Sequence, residues 1–306
     1  MSPLSKPRAL RPGARIGIAA PGGPVDPERV AAGCRLLEQA GFRTFRRPDL
    51  VARRGYLAGD DQRRIDELEQ LWSDPEIDAI VCARGGYGCD RILARLDPAL
   101  AREARKPLVG YSDATALLLW QRRAAGLAGF HGPMLERGAD LDPGSLAALL
   151  GWLTGAPLPE VALRGCGAFP GEASGPLVGG SLTLVVASLG TPWEIETQGC
   201  VLLLEEVNER PYRVDRMLQQ LQAAGKLGGL AGIGFGDLAS CTDDRYGSCV
   251  EDVVRERVAA LGIPAVTGLP FGHVPVNTPW PVGVRATIDG SRGEVRILER
   301  GVEVTS

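Results

Sequence analysis

Residues 107–124 read PLVGYSDATALLLWQRRA, and this stretch decides the fold. Pro107 to Gly110 is apolar and has the length of a short buried strand. A helix is predicted from Ser112 to about Ala124. A strand that passes through a tight turn into a helix is the repeating unit of a parallel α/β sheet.

The same order of elements occurs twice before this stretch. A strand at Arg15–Ala20 precedes a helix that Asp26 and Pro27 begin, and a strand at Ile77–Ala83 precedes a helix that reaches about Leu96. Repeated strand–loop–helix units predict the α/β class, with a largely parallel sheet covered on both faces. Ligands of such sheets collect where the carboxyl ends of strands meet helix N-termini.

The pattern changes after about residue 150. We expect an N-terminal α/β domain over residues 1–154 and a Gly- and Pro-rich linker over residues 155–176. Residues 177–306 carry shorter strands and end in a hairpin-like stretch that turns at Asp289 and Gly290. This part is expected to be a smaller, mixed α/β domain.

Composition excludes several function classes. The chain has 306 residues, 44% of them hydrophobic, and a net charge of -3, so nothing in its charge favours nucleic acid or a membrane surface. Arginines alternate with acids, as in Asp60 to Arg64, and this pattern predicts solvated helix faces. The first apolar run, Ile16 to Ala20, is too short for a signal-peptide core or a membrane span, so we expect a cytoplasmic protein.

Cysteine and histidine usage narrows the chemistry further. The seven cysteines include no Cys-x-x-Cys pair, so buried free thiols are expected rather than disulfides or a zinc ribbon. The chain has two histidines, His131 and His273, so we expect no metal site and no cofactor. Any imidazole base must be one of these two residues.

Ser112 is the first candidate for chemistry. It stands between a strand and a helix, where free helix N–H groups lie beside it and suit an oxyanion. The layout of Gly110 to Ala114 is similar to a nucleophile elbow, although the closing glycine of that motif is missing. The alternative is that Ser112 is a helix N-cap.

The other candidates also lie at strand ends or in loops. Glu205 and Glu206 end a predicted strand, and only one of the two can face a given site. Both histidines, in turn, are compatible with a hydrogen-bonded loop role. The loop Arg84 to Gly88 places glycine N–H groups near a ligand, but it lacks a glycine at position 91, where Arg91 stands, and a P-loop lysine.

Several motifs, taken together and in this order, resemble the serine L,D-carboxypeptidase family, that of the muramoyltetrapeptide carboxypeptidases, which also includes microcin C self-immunity hydrolases. The resemblance covers nearly the whole chain. Its motifs are Arg84-Gly85-Gly86-Tyr87-Gly88, Gly110-Tyr111-Ser112-Asp113-Ala114, Gly132-Pro133-Met134, Gly179-Gly180-Ser181-Leu182, Gly190-Thr191-Pro192-Trp193, Leu204-Glu205-Glu206, Pro211 to Leu218 and Gly268 to His273. Ser181 departs from the pattern, because asparagine is frequent there.

The resemblance implies roles for particular residues. Ser112 would be the nucleophile, His273 the base and Glu205 the carboxylate that orients it, at a site between the two domains. The backbone N–H groups of Asp113 and of Gly85 or Gly86 would form an oxyanion hole. An exopeptidase must in addition hold the free carboxylate of its substrate, and Arg84 and loop N–H groups are both candidates for that contact.

The resemblance also implies a substrate and an assembly. The substrate would be a murein tetrapeptide that loses its terminal D-Ala, and the protein would be a homodimer. Two alternatives stay open: hydrolysis of peptidyl or aminoacyl adenylates, and a non-catalytic α/β protein that binds a small ligand.

Overall fold

The structure, a computed structural model, describes residues 4–157, 159–160, 162–243, 247 and 249–304. The chain divides into two compact units. Unit 1 comprises Met1–Ala156, Pro279–Pro281 and Gly301–Ser306, and unit 2 comprises Pro157–Thr278 and Val282–Arg300. The C-terminal part of the chain therefore returns twice to unit 1, which the expected boundaries at 154 and 177 did not include. Among the described residues, no helix is both long and apolar enough to cross a membrane.

Strands and helices alternate through most of the chain. The strands are β1 (Arg15–Ala19), β2 (Arg43–Phe45), β3 (Ala79–Cys82), β4 (Leu108–Gly110), β5 (Gly129–His131), β6 (Leu163–Arg164), β7 (Cys166–Phe169), β8 (Glu172–Ser181), β9 (Val201–Val207), β10 (Gly232–Ala239), β11 (Ala265–Thr267), β12 (Trp280–Val282), β13 (Arg285–Asp289) and β14 (Glu294–Ile297). The α-helices are α1 (Pro27–Gln39), α2 (Asp61–Ser73), α3 (Asp90–Leu93), α4 (Pro98–Ala104), α5 (Ala114–Trp120), α6 (Pro143–Thr154), α7 (Leu182–Ala187), α8 (Pro211–Ala223) and α9 (Val250–Leu261).

Unit 1 is built on a sheet with the strand order β12-β5-β4-β3-β1-β2. Neighbouring strands from β1 to β5 are parallel. Every residue of β3 and β4 is buried, as expected for strands covered by helices on both faces. Asp26 caps α1 by accepting hydrogen bonds from the N–H groups of Glu28 and Arg29. The α/β class is confirmed.

Unit 2 carries a mixed sheet with the order β6-β14-β13-β8-β9-β10-β11-β7. Strands β8 to β11 are parallel to one another, whereas β13 and β7 pair with them in the antiparallel sense. Strands β13 and β14 form the predicted C-terminal hairpin. Helices α8 and α9 pack against each other.

The segment 155–176 differs from the expected linker. It contains β6, β7 and the start of β8, all paired in the sheet of unit 2. Its glycines allow backbones to pack closely, since a side chain on Gly167 would collide with the carbonyl oxygen of Gly290. The glycine content therefore reflects strand packing rather than chain flexibility. Residues 158 and 161 of this segment lie outside the described residues.

Candidate active site

Ser112 occupies an unusual backbone conformation between β4 and α5. Its φ of 58° lies in the left-handed region, which residues other than glycine seldom adopt. Asp113, and not Ser112, takes the N-cap position of α5, and its side chain makes no capping hydrogen bond. The N-cap interpretation of Ser112 is therefore wrong. A left-handed serine between a strand and a helix has the backbone geometry of a nucleophile elbow.

Two glycine-containing loops approach this turn. A Cβ atom on Gly85 would lie 2.8 Å from the Cβ and 2.9 Å from the Oγ of Ser112, so any larger residue at position 85 would crowd the hydroxyl. The Gly23 N–H donates a 2.8 Å hydrogen bond to the Gly85 carbonyl, which ties the loop after β1 to the loop after β3. Gly86 is exposed and has a φ of 95°.

Arg84 is engaged with neighbouring groups. Its Nη1 donates to the Pro24 carbonyl at 2.7 Å, and its Nε lies 3.0 Å from Oε2 of Glu136. Burial raises the pKa of the Glu136 carboxyl, and the Arg84 charge opposes that rise. The Arg84 side chain is still 41% exposed, so part of it remains accessible to a ligand.

In unit 2, the end of β9 brings a carboxylate to an imidazole. The Nδ1 atom of His273 lies 2.8 Å from Oε2 of Glu205. Glu205 is fully buried, whereas the His273 side chain keeps 20% of its surface exposed. Glu206 points the other way, as alternation along a strand requires, and its Oε2 accepts a 2.7 Å hydrogen bond from the Thr183 N–H.

The loop before His273 is closely fitted to Glu205. Gly272 has a φ of 125°, and a Cβ atom there would lie 3.2 Å from both Cβ and Oε2 of Glu205. The buried Asn277 accepts a 3.0 Å hydrogen bond from the Gly272 N–H through its Oδ1. Backbone fit and a buried amide thus hold the imidazole beside the carboxylate.

His131, the other histidine, lies in a different environment. It ends β5 with no exposed surface, and its ring stacks on Trp280 at 4.9 Å between centroids and 8° between planes. The Tyr111 ring lies 5.8 Å away on a tilted plane. These contacts are those of an aromatic core residue.

The predicted site residues therefore form two clusters, each inside one unit. The first surrounds the turn in unit 1 and contains Arg84, Gly85, Gly86, Ser112 and Asp113. The second is the Glu205–His273 pair of unit 2.

Sequence reasoning missed Arg64. The stretch Asp60 to Arg64 was expected to form a solvated helix face, but the Arg64 side chain has no exposed surface. Its Nη1 donates 2.6 Å hydrogen bonds to the carbonyls of Pro21 and Gly88. The sequence spacing does indicate that Arg64 is buried. Arg64 precedes Leu68 and Leu71 by four and seven residues and so lies on the apolar face of α2.

Comparisons with known proteins place this two-unit α/β fold in one class. Residues 16–132 match the LD-carboxypeptidase N-terminal domain, and residues 174–288 match the LD-carboxypeptidase C-terminal domain. The chain is 35% identical to a protein of Bacillus subtilis named probable murein peptide carboxypeptidase, over 97% of this chain and 95% of that one.

Solved structures agree with that assignment. The crystal structure of muramoyltetrapeptide carboxypeptidase from Oxalobacter formigenes is similar with a TM-score of 0.84 and 30% identity, over 93% of this chain and 98% of that one. The microcin C7 self immunity protein MccF shares the fold, with a TM-score of 0.87 at 22% identity over 98% of this chain and 100% of that one.

The class is thus that of peptidases built from a pair of α/β domains. The chain belongs to the LD-carboxypeptidase family. It is a serine-type carboxypeptidase, as the resemblance read from the sequence implied.

Proposed function

We propose that the protein hydrolyses the L,D peptide bond of murein tetrapeptides and releases the terminal D-Ala. The observation that carries the proposal is the left-handed strand-to-helix turn at Ser112 in a chain of this family. The names of the Bacillus subtilis and Oxalobacter formigenes proteins support the substrate class.

In the proposed mechanism, Ser112 is the nucleophile and His273 is the general base. His273 takes the Ser112 proton as the hydroxyl attacks the scissile carbonyl, and later gives that proton to the leaving amine. Glu205, which is 2.8 Å from Nδ1, holds the ring orientation and stabilises the imidazolium. Because the nucleophile belongs to unit 1 and the pair to unit 2, the mechanism requires both units to act on one substrate molecule.

The oxyanion would form beside the Ser112 turn. We assign its donors to the backbone N–H groups of Asp113 and of Gly85 or Gly86. The closeness of Gly85 to the Ser112 hydroxyl supports that choice. Each such donor typically stabilises the transition state by about 3 kcal/mol.

An exopeptidase must also bind the free carboxylate of its substrate. We assign this contact to Arg84, whose side chain is partly exposed although its guanidinium already contacts Glu136 and the Pro24 carbonyl. Arg84→Lys keeps the charge but loses the planar donor geometry, so we expect it to raise KM more than it lowers kcat.

We also propose that the enzyme works in the cytoplasm as a homodimer. The seven cysteines, five of them buried, are free thiols, which supports a reducing compartment. The dimer rests on the family resemblance. Sedimentation velocity would test it against the 32.4 kDa mass of one chain.

The experiment that tests the function is a substrate comparison. Purified protein is incubated with murein tetrapeptide and, separately, with an aminoacyl adenylate analogue, and the products are measured by mass spectrometry. Release of D-Ala, with no effect of a chelator, supports the proposal. Rapid cleavage of the adenylate with an intact tetrapeptide would assign the chain to the adenylate-hydrolysing type instead.

A further inference from the structure

A fully buried guanidinium lies under the loops that surround Ser112. Arg64, on α2, has no exposed surface and pairs with Asp61 one turn earlier. Removing a charge from water is costly unless good partners compensate. The Nη1 atom of Arg64 donates hydrogen bonds to carbonyls of two different loops, those of Pro21 after β1 and Gly88 after β3, both at 2.6 Å.

The second of these contacts depends on glycine. A Cβ atom on Gly88 would lie 2.5 Å from Nη1 of Arg64, and the φ of Gly88 is 138°. Only a residue without a side chain allows the guanidinium to reach this carbonyl. The loop between Arg84 and Gly88 is thus anchored at the end opposite to Gly85.

Asp113 belongs to the third loop, the turn after β4, and connects this loop to the chain next to Gly88. Its Oδ2 accepts a 2.9 Å hydrogen bond from the N–H of Cys89, the residue after Gly88. The side chain is almost completely buried. Burial raises the pKa of this carboxyl, while the Cys89 N–H and the Arg64 charge act in the opposite direction.

We propose that Arg64 and Asp113 form a buried brace that positions Ser112 and its oxyanion donors by holding the three loops in one arrangement. The side chains of Arg64 and Asp113 act as positioning groups, distinct from the Asp113 backbone N–H assigned to the oxyanion, and the proposal rests on the proposed role of Ser112 as nucleophile. The brace fixes Pro21, Gly88 and Cys89, and through them the segments that carry Gly23, Gly85 and the left-handed turn. Displacement of reacting groups by about 1 Å costs roughly a hundredfold in rate.

Lys106 supplies a matched control, because it is also a buried cation that binds backbone carbonyls. Its Nζ donates to the carbonyls of Leu71, Trp72 and Asp74 at 2.8, 2.7 and 2.6 Å. These carbonyls lie at the C-terminal end of α2, and Lys106 comes just before β4. The three loops that Arg64 and Asp113 contact instead follow β1, β3 and β4. Lys106→Met therefore removes a buried cation from the same unit without altering the contacts that hold the three loops.

The experiment measures kcat, KM and melting temperature for Arg64→Met, Arg64→Lys and Lys106→Met, with assays run well below the lowest melting temperature. Arg64→Met is expected to lower kcat about a hundredfold with KM within about threefold, and Arg64→Lys to recover part of that loss. Lys106→Met is expected to lower the melting temperature with kcat within about threefold. Equal decreases in melting temperature for Arg64→Met and Lys106→Met, with kcat unchanged in both, would overturn the proposal.

A second variant covers the case in which Arg64→Met does not fold. Asp113→Ala removes the carboxylate that accepts the Cys89 N–H and leaves the backbone N–H of residue 113 in place. We expect kcat to fall about tenfold at constant KM, and an unchanged kcat would contradict the proposal. Ser112→Ala separates the two hypotheses. If it stays active, the assigned nucleophile is wrong. If it is inactive while Asp113→Ala is fully active, only the brace is wrong.

Discussion

The two clusters of candidate residues are built in different ways. In unit 1, backbone conformation determines the geometry of the cluster. Ser112 has a left-handed φ, and Gly85 lies so close to its hydroxyl that only glycine fits there. In unit 2, the contact between two side chains determines the geometry. Glu205 is buried at a strand end, and Nδ1 of His273 lies 2.8 Å from its Oε2.

This difference shows where each cluster is sensitive. The unit 1 cluster depends on loops that must keep their path, and buried charges such as Arg64 hold them. The unit 2 cluster depends on the chemical identity of two side chains and on the fit of Gly272 beneath them. Substitutions that separate shape from chemistry therefore test the comparison.

The largest effect is expected at the nucleophile. Ser112→Ala should lower kcat for D-Ala release by roughly 10⁴- to 10⁶-fold, because in the proposed mechanism the hydroxyl is the attacking group. Steady-state kinetics measures the loss, and circular dichroism checks that the fold is intact. A variant with more than a tenth of the wild-type rate would remove Ser112 from the mechanism.

The two histidines come next, since they carry the same group in different surroundings. His273→Ala should lower kcat by roughly a thousandfold or more, because the proposed general base is lost. His131→Phe keeps a ring stacked on Trp280, so its kcat should stay within about tenfold of the wild type. The opposite ranking in a side-by-side assay would make His131 the base.

The adjacent carboxylates of β9 provide a comparison within unit 2. Glu205→Gln should lower kcat by roughly 10²- to 10⁴-fold, since the amide no longer stabilises the imidazolium. Glu206→Gln should change kcat less than about tenfold, because Glu206 binds the Thr183 N–H on the other side of the strand. Comparable losses for both variants would show that burial alone, and not the contact with His273, matters.

The stability of unit 1 should depend on pH through one buried carboxyl, that of Glu67. Burial raises the pKa of Glu67, whose Oε2 accepts the Ala20 N–H at 2.7 Å, to about 7. The folded protein then holds a proton that the unfolded chain releases near pH 4.5, so the free energy of unfolding falls as pH rises from about 4.5 to about 7. Titration of Glu67 lowers the free energy of unfolding by at most about 3 kcal/mol over this pH range.

Glu67→Gln should abolish that contribution. Urea unfolding of both proteins across the same pH range measures it. A difference between wild type and Glu67→Gln that does not change with pH would mean that the carboxyl is ionised throughout.

The smallest effect concerns the Ser112 backbone itself. Glycine adopts the left-handed region without strain, whereas alanine does not, so Ser112→Gly should be more stable than Ser112→Ala by about 1 kcal/mol. Both variants should be inactive. Equal stabilities in urea unfolding would indicate that the turn relaxes when the hydroxyl is absent.

Sequence patterns predicted what depends on local periodicity. The helix capped by Asp26, the buried strand before Ser112 and the alternating C-terminal hairpin all appear where expected. Alternation along β9 also anticipated that Glu205 and Glu206 would face opposite sides.

Features that depend on distant partners were not predictable in this way. The short strand β7 gains its pairing from β11, almost a hundred residues away, so its glycines suggested a linker. Arg64 is buried because carbonyls from two separate loops receive its hydrogen bonds. The left-handed φ of Ser112 cannot be read from the residue type, because serine is ordinary at helix starts; only the elbow-like layout of Gly110 to Ala114 pointed to such a turn.

The most direct test of the central claim is to find where a serine-directed organophosphonate attaches. Wild-type protein is labelled, digested and mapped by mass spectrometry, alongside His273→Ala and His131→Phe. The account predicts one adduct on Ser112, lost in His273→Ala and kept in His131→Phe. An adduct on another residue, or labelling of Ser112 that does not depend on His273, would contradict it.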